Sequence, residues 1–101
     1  MKHLNTIMEQ TIQEKIKQRR LQMLVHSCIY YKFNESIVSD YQWSKWAKEL
    51  EQLQKDYPKE SEETEYYNIF TNWNGSTGCD LPINNDIIIN KAKRLMEISK
   101  K

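Results

Sequence analysis

Apolar side chains recur at steps of three and four residues over residues 6–31, with neither glycine nor proline among them. The recurring positions are Ile12, Ile16, Leu21, Leu24, Val25, Cys28 and Ile29. This spacing places them on one side of a helix, so it predicts a long amphipathic first helix. Because the pattern continues for more than about six turns at 3.6 residues per turn, we expect this helix to be the longest.

A second helical pattern follows a short connector at residues 34–38. Ser39 and Asp40 carry side-chain oxygens suited to cap a helix. Large and small apolar residues then follow at helical spacing: Trp43, Trp46, Ala47, Leu50 and Leu53. A second helix is therefore predicted over residues 41–55, ending before Pro58, because proline disfavours helical geometry at the residue that precedes it.

The second half of the chain gives a less uniform pattern. Residues 59–64 fit a loop or a short solvated helix, and residues 65–73 are aromatic enough to fit a strand or a helix. Residues 74–78 hold both glycines, Gly75 and Gly78, and predict a turn, whose amides and hydroxyls also suit an anion-binding concavity. Residues 85–99 have helical apolar spacing and basic residues near their end, which suit a helix dipole.

These elements predict a mainly α fold in a single domain over residues 1–101. It would consist of a long helical hairpin, an aromatic and glycine loop region, and a C-terminal helix. A chain of 101 residues is near the size at which one hydrophobic core becomes self-sufficient, so a second domain is not expected.

The composition excludes several classes of function. Fifteen basic residues are balanced by fourteen acidic residues, so no global field attracts nucleic acid or an anionic membrane. The sequence has neither the apolar stretch of a signal peptide nor the roughly 20 apolar residues that span a bilayer. Cys28 and Cys79 lack the spacing of a zinc or redox motif. We therefore expect a cytoplasmic protein with reduced thiols, no metal, and no membrane or nucleic-acid partner.

One stretch, residues 24–58, carries a specific signal. An aromatic pair closes the first helix, an aspartate follows after eight residues, and an aromatic residue, a Glu-Leu pair and a proline complete the pattern. The residues are Tyr30-Tyr31, Asp40, Trp43, Glu49-Leu50 and Pro58. In this combination the stretch resembles the N-terminal helical domain, domain Ia, of bacterial NAD-dependent DNA ligases. The rest of the chain resembles a group of small phage-type proteins related to that ligase.

The resemblance implies a binding site for the nicotinamide mononucleotide (NMN) half of NAD. A nicotinamide ring in NAD is flat and cationic, so aromatic faces can stack on it and a carboxylate can stabilise its charge. Tyr30 and Trp43 would supply the faces, and Asp40 the carboxylate. The hydroxyl groups of Tyr31 and Ser44 would bond the ribose.

A phosphate of the ligand would need a cation. Arg19, Arg20 and Lys32 would supply it if they fold back over the cleft.

Three positions depart from the ligase pattern. Tyr31 stands where the ligases often have histidine, Trp43 where they usually have tyrosine, and Ser44 where they have aspartate. The loss of one carboxylate makes the expected pocket less anionic, so a nucleotide-like ligand other than NMN or NAD also fits the pattern.

A purely structural interpretation competes with binding. Tyr30, Trp43 and Trp46 also fall where a small helical core needs large side chains, and Asp40 suits a helix cap. For Trp46 we expect the core. His26 lies on the apolar side of the first helix, so we expect a buried, hydrogen-bonded histidine rather than a catalytic base.

The ligase reaction needs a lysine nucleophile in a Lys-x-Asp-Gly motif, and neither glycine here follows Lys-x-Asp. We therefore expect no enzymatic activity and no cofactor. The leading hypothesis is a binder of NMN, NAD or an ADP-ribose-like nucleotide, acting as a phage sponge that sequesters a host defence signal in the host cytoplasm.

The alternative hypothesis is a phage protein that inhibits a host defence or replication protein through an aromatic surface. Tyr66, Tyr67, Phe70 and Trp73 would form that surface, although they would equally suit a core. Whether two copies assemble or a host protein is the partner is left open by the sequence.

Overall fold

Five α-helices account for most of the part of the chain that this computed structural model describes, which is residues 11–71, 73, 81–82 and 84–100. The helices are α1 (Ile12–Tyr31), α2 (Asp40–Asp56), α3 (Pro58–Glu62), α4 (Tyr67–Phe70) and α5 (Asp86–Ser99). The described residues contain no strand. The predicted mainly α fold is confirmed.

The first helix is the longest of the described helices, as expected, with 20 residues against 17 in α2 and 14 in α5. It begins with a capping box: the Thr11 hydroxyl accepts from the Glu14 N–H at 3.1 Å, and the Thr11 N–H donates to the Glu14 carboxylate at 3.0 Å. These bonds satisfy two of the N–H groups that a helix start leaves unpaired. The predicted start at residue 6 is wrong for one continuous helix, because Thr11 has an extended backbone and caps a helix that begins at Ile12; residues 6–10 lie outside the described residues.

The second helix also matches its prediction, with one more residue at each end. Ser39 is the N-cap, and its hydroxyl accepts from the Gln42 N–H at 3.0 Å. Asp40 is the first helical residue rather than the cap. The helix stops at Tyr57, whose backbone leaves the helical region, and Pro58 begins α3, where its missing N–H costs nothing.

The two segments that the sequence left ambiguous are both partly helical. Residues 59–64 lie mostly in α3, and residues 65–73 contain the single turn α4. Tyr66 separates the two helices with a left-handed backbone, at φ 72°. A side chain disfavours this conformation, so the surrounding packing must hold it in place.

The core lies around α1, which packs against both α2 and α5. The buried apolar residues of this core are Ile16, Met23, Leu24, Val25, Cys28, Ile29, Ala47, Leu50, Phe70, Leu81, Ile88 and Ala92. The third long helix, α5, begins one residue later than predicted, with the Asn85 side chain accepting from the N–H groups of Ile87 and Ile88. None of the described helices is long and apolar enough to cross a membrane.

Candidate functional site

The end of α1 and the start of α2 are joined by a tight connector. The Glu35 N–H donates to the Ile29 carbonyl at 3.1 Å, and Asn34 has a left-handed backbone at φ 54°, a conformation that asparagine tolerates well. Phe33 and Ile37 pack against the core and hold the connector down. The predicted helical hairpin is therefore present, and it brings the end of α1 beside the start of α2.

Two tyrosines stand exposed at the end of α1. Tyr30 is 56% exposed and Tyr31 is 44% exposed, and their rings meet edge to face at 4.8 Å between centroids. An exposed aromatic pair of this kind offers ring faces and phenolic hydroxyls to a ligand. The core interpretation of Tyr30 is wrong, because more than half of its surface faces solvent.

Asp40 and Ser44 are exposed and lie one turn apart on α2. Residues four apart share one side of a helix, so these two side chains can contact the same ligand. Asp40 also has a structural role, because a carboxylate in the first turn is stabilised by the helix dipole. The cap that the sequence also suggested for Asp40 belongs to Ser39.

Trp43 is in a different environment from the other predicted site residues. It is half-buried against the core, and its ring meets that of Trp73 edge to face at 6.1 Å. Trp73 in turn contacts buried Phe70 at 5.1 Å. Trp43 thus contributes to packing, and its ring is not fully exposed for stacking on a ligand.

All three predicted phosphate contacts bond other protein groups, and only Lys32 is exposed. Arg20 is fully buried, and Arg19 pairs with Glu49 at 2.9 Å and bonds the Gln22 amide oxygen at 2.8 Å. Lys32 is exposed beside the tyrosine pair, and its ammonium group donates to the Asn84 side chain at 3.1 Å. Of the three, Lys32 is the cation nearest in sequence to the exposed tyrosines.

Arg20 has a structural role that sequence reasoning missed. Its Nη1 donates to the carbonyls of Thr64 and Glu65 at 3.1 and 2.9 Å, and its Nη2 donates to the Ser61 carbonyl and hydroxyl at 3.2 and 2.6 Å. Its Nε donates to the Gln54 amide oxygen at 3.0 Å. All five donors of the guanidinium group are therefore used.

None of these five contacts of the Arg20 guanidinium group is with a carboxylate. Burial lowers the pKa of Arg20 to about 10, so the side chain still carries its charge at neutral pH. The signal that could have revealed this role is its position: Arg20 lies four residues after Ile16 and four before Leu24, on the buried side of α1.

His26 is buried, as predicted, but the expected hydrogen bond is missing at one ring nitrogen. Within the described part of the chain, Nδ1 is enclosed and has no partner. The ring packs against Trp46 at 5.4 Å between centroids, and Trp46, which we expected in the core, is partly buried against it. Burial lowers the pKa of His26, so the ring is neutral at physiological pH.

The aromatic set proposed as a partner surface is largely part of the core. Phe70 is fully buried, and Tyr66 and Trp73 pack against the core, while Tyr67 is half-buried. The turn with Gly75 and Gly78, including its suggested anion site, lies outside the described residues, as does Cys79.

The described residues offer few other groups that could form a metal site or a reactive centre. They contain no group of three His, Cys, Asp or Glu side chains placed to hold a metal ion. Cys28 is buried, which raises the pKa of its thiol.

Comparisons of this chain with protein-family models, with curated proteins and with solved structures find no match. The ligase resemblance of residues 24–58 therefore stays a prediction, supported by residue types and spacing alone.

Proposed function

We propose that this protein is a non-catalytic binder of a NAD-derived or ADP-ribose-type nucleotide, with its site where α1 meets α2. The observation that carries the proposal is the exposed Tyr30–Tyr31 pair, whose rings are not covered by the core. Exposing two adjacent aromatic rings leaves apolar surface in water, and a flat ring that stacks on them would remove it.

Polar groups at the same helix junction suit the remaining parts of a nucleotide. Exposed Asp40 offers a carboxylate for ribose hydroxyls or for a cationic nicotinamide, and exposed Ser44 offers a hydroxyl one turn further along α2. Lys32, next to Tyr31, offers an ammonium group to a phosphate. Trp43 has a secondary role in this proposal, because its ring also packs against the core.

The biological role that we attach to this binding is sequestration. A small protein that holds a nucleotide and lacks a nucleophile motif can lower the free concentration of that nucleotide. If the chain is encoded by a phage, as its resemblance implies, the ligand would be a signal of a host defence system. This step rests on the resemblance and on the absence of Lys-x-Asp-Gly.

The test of binding is a thermal-shift screen with NAD, NMN, ADP-ribose and cyclic dinucleotides, followed by calorimetry on any nucleotide that raises the melting temperature. Tyr30→Ala should weaken binding by roughly tenfold to a hundredfold, the equivalent of about 1–3 kcal/mol of stacking. Tyr41→Ala is the matched control, because Tyr41 is a tyrosine on α2 with 77% exposure. Equal affinities of the two variants would contradict the proposed site.

The role of the Asp40 charge can be separated from its effect on the helix. Asp40→Asn removes the charge from the first turn of α2, and Asp86→Asn makes the same change in the first turn of α5. Both variants should lose a similar small stabilisation by the helix dipole, about 0.3–1 kcal/mol. Only Asp40→Asn should lose nucleotide affinity. Normal binding by Asp40→Asn would limit this residue to its structural role.

The non-catalytic part of the proposal has its own test. After incubation with NAD, magnesium and nicked DNA, mass spectrometry should find no adenylated lysine and the nick should remain open. An AMP-modified lysine would overturn this part while leaving nucleotide binding intact.

The second candidate function is inhibition of a host protein through an aromatic surface. The observation that favours it is also the exposure of Tyr30, Tyr31 and Tyr41, since tyrosines are frequent in binding hot spots. This tyrosine surface differs from the aromatic surface expected from the sequence, whose residues lie mostly in the core. A nucleotide panel that leaves the melting temperature unchanged would favour this function over the first.

A further inference from the structure

A groove between α1 and α5 lies apart from the tyrosine pair and is not used by the proposed function. Its volume is about 560 Å³, within the range of sites that hold small organic ligands. The lining side chains are Glu14, Lys17, Gln18, Leu21, Gln22, Val25 and His26 from α1, and Lys91 and Leu95 from α5. The apolar members, Leu21, Val25 and Leu95, provide a hydrophobic surface for a ligand to cover.

His26 contributes a hydrogen-bond donor to this groove. Its Nδ1 is the enclosed ring nitrogen, so the polar atom that it can offer to the groove is Nε2. An enclosed N–H without an acceptor is less tolerable than an enclosed lone pair. The neutral ring therefore favours the tautomer with its proton on Nε2, and this N–H can donate to a ligand in the groove.

Two further side chains of the groove, Gln22 and Lys91, can donate to a ligand. The Gln22 amide oxygen is occupied by Arg19, which leaves its NH₂ group to donate. Lys91 is exposed and has no carboxylate partner among the described residues. Lys17 is already paired with Glu65 at 3.0 Å.

The one carboxylate of the groove, Glu14, is held in the capping box of Thr11, and those hydrogen bonds lower its pKa. It lies twelve positions before His26 on α1, or roughly 18 Å of helix rise. A negative ligand group would avoid Glu14 and bind nearer to His26.

From this arrangement we infer that the groove binds a small amphipathic carboxylate: an apolar body that covers Leu21, Val25 and Leu95, with an anionic head that accepts from Gln22 and His26. Lys91 adds long-range attraction for the head. Charge complementarity favours this occupant over a neutral one, because Lys91 has no carboxylate partner among the described residues and the Glu14 carboxylate is held in the capping box.

The inference can be tested with 2-naphthoate, whose flat apolar body carries one carboxylate, and with its neutral isostere 2-naphthamide. Binding is followed by nitrogen-15 NMR on the full chain. We expect 2-naphthoate to shift the imidazole signal of His26 and the backbone signals of residues 18–26, and 2-naphthamide to bind at least about tenfold more weakly. Shifts confined to residues 30–44 would overturn the inference and would instead mark the site of the proposed function.

Charge variants on α5 complete the test. Lys91→Gln should weaken 2-naphthoate binding by up to about fivefold, the range expected for an exposed charge, and added salt should reduce this difference. Lys93→Gln is the matched control, because Lys93 is an exposed lysine of α5 that does not line the groove. Equal effects of the two variants, or equal affinity for the acid and the amide, would overturn the inference. The inference would also be overturned if the protein did not bind 2-naphthoate but formed a dimer that Lys91→Gln dissociates. The occupant of the groove would then be a second copy of the chain.

Discussion

The buried Arg20 cluster gives the sharpest stability prediction for this protein. Arg20→Met keeps an unbranched aliphatic stem at this position but removes the guanidinium group, so all five acceptors lose their donor. These acceptors belong to Gln54, Ser61, Thr64 and Glu65, and all lie 34 to 45 residues further along the chain. The substitution therefore releases the α3 region from α1.

The expected loss is about 3–5 kcal/mol. A hydrogen bond to a charged group contributes about 1.5–3 kcal/mol, but five such bonds are not additive, because burying the guanidinium group has its own cost. A buried acceptor left without a donor costs about 1–3 kcal/mol, and the acceptors of Ser61 and Thr64 lie in the buried part of the cluster, so their losses together reach this range. This is a large share of a domain stability of about 5–15 kcal/mol.

The assay is urea unfolding followed by far-ultraviolet circular dichroism, with Arg19→Met as the matched control. Arg19 is also an arginine of α1, but its pairing with Glu49 is partly exposed, so its removal should cost only about 0.2–1 kcal/mol. Arg20→Lys should fall between the two, because lysine keeps the charge but cannot reach five acceptors. A loss for Arg20→Met no larger than that for Arg19→Met would refute the reasoning.

Three further predictions follow from the local geometry, each checked by melting or unfolding curves. Thr11→Ala removes the cap of α1 and should cost about 1 kcal/mol; an unchanged midpoint would mean that the start of α1 contributes little. Asn34→Ala places a β-carbon without a polar group in the left-handed region and should also cost about 1 kcal/mol, whereas Asn34→Gly should not. Equal losses for the two variants would mean that contacts of the Asn34 side chain, rather than its backbone conformation, provide the stability. Because burial lowers the pKa of His26 below its ordinary 6.5, the unfolded chain takes up this proton first, so stability should decrease as pH falls from about 7 to 5. His26→Leu should flatten this slope, and an unchanged slope would assign it to another group.

The candidate site was predicted only in part by the sequence. Residue spacing identified Tyr30, Tyr31, Asp40 and Ser44 as neighbours of one helix junction, because that junction is a local feature of the chain. It could not decide whether Tyr30 or Trp43 would face the core. That choice depends on contacts with Trp73 and the rest of the core, which lie far away in sequence.

The sequence by itself determined the long helices and most of their ends, but not the start of α1 after the Thr11 cap. Helix periodicity, the Ser39 cap and Pro58 all act within a few residues, so α1, α2 and α5 were recognisable without a tertiary structure. Only the tertiary structure decided the conformation of residues 59–71 and the role of Arg20. The local pattern of these segments is compatible with more than one structure, and hydrogen bonds across more than 40 residues select one of them.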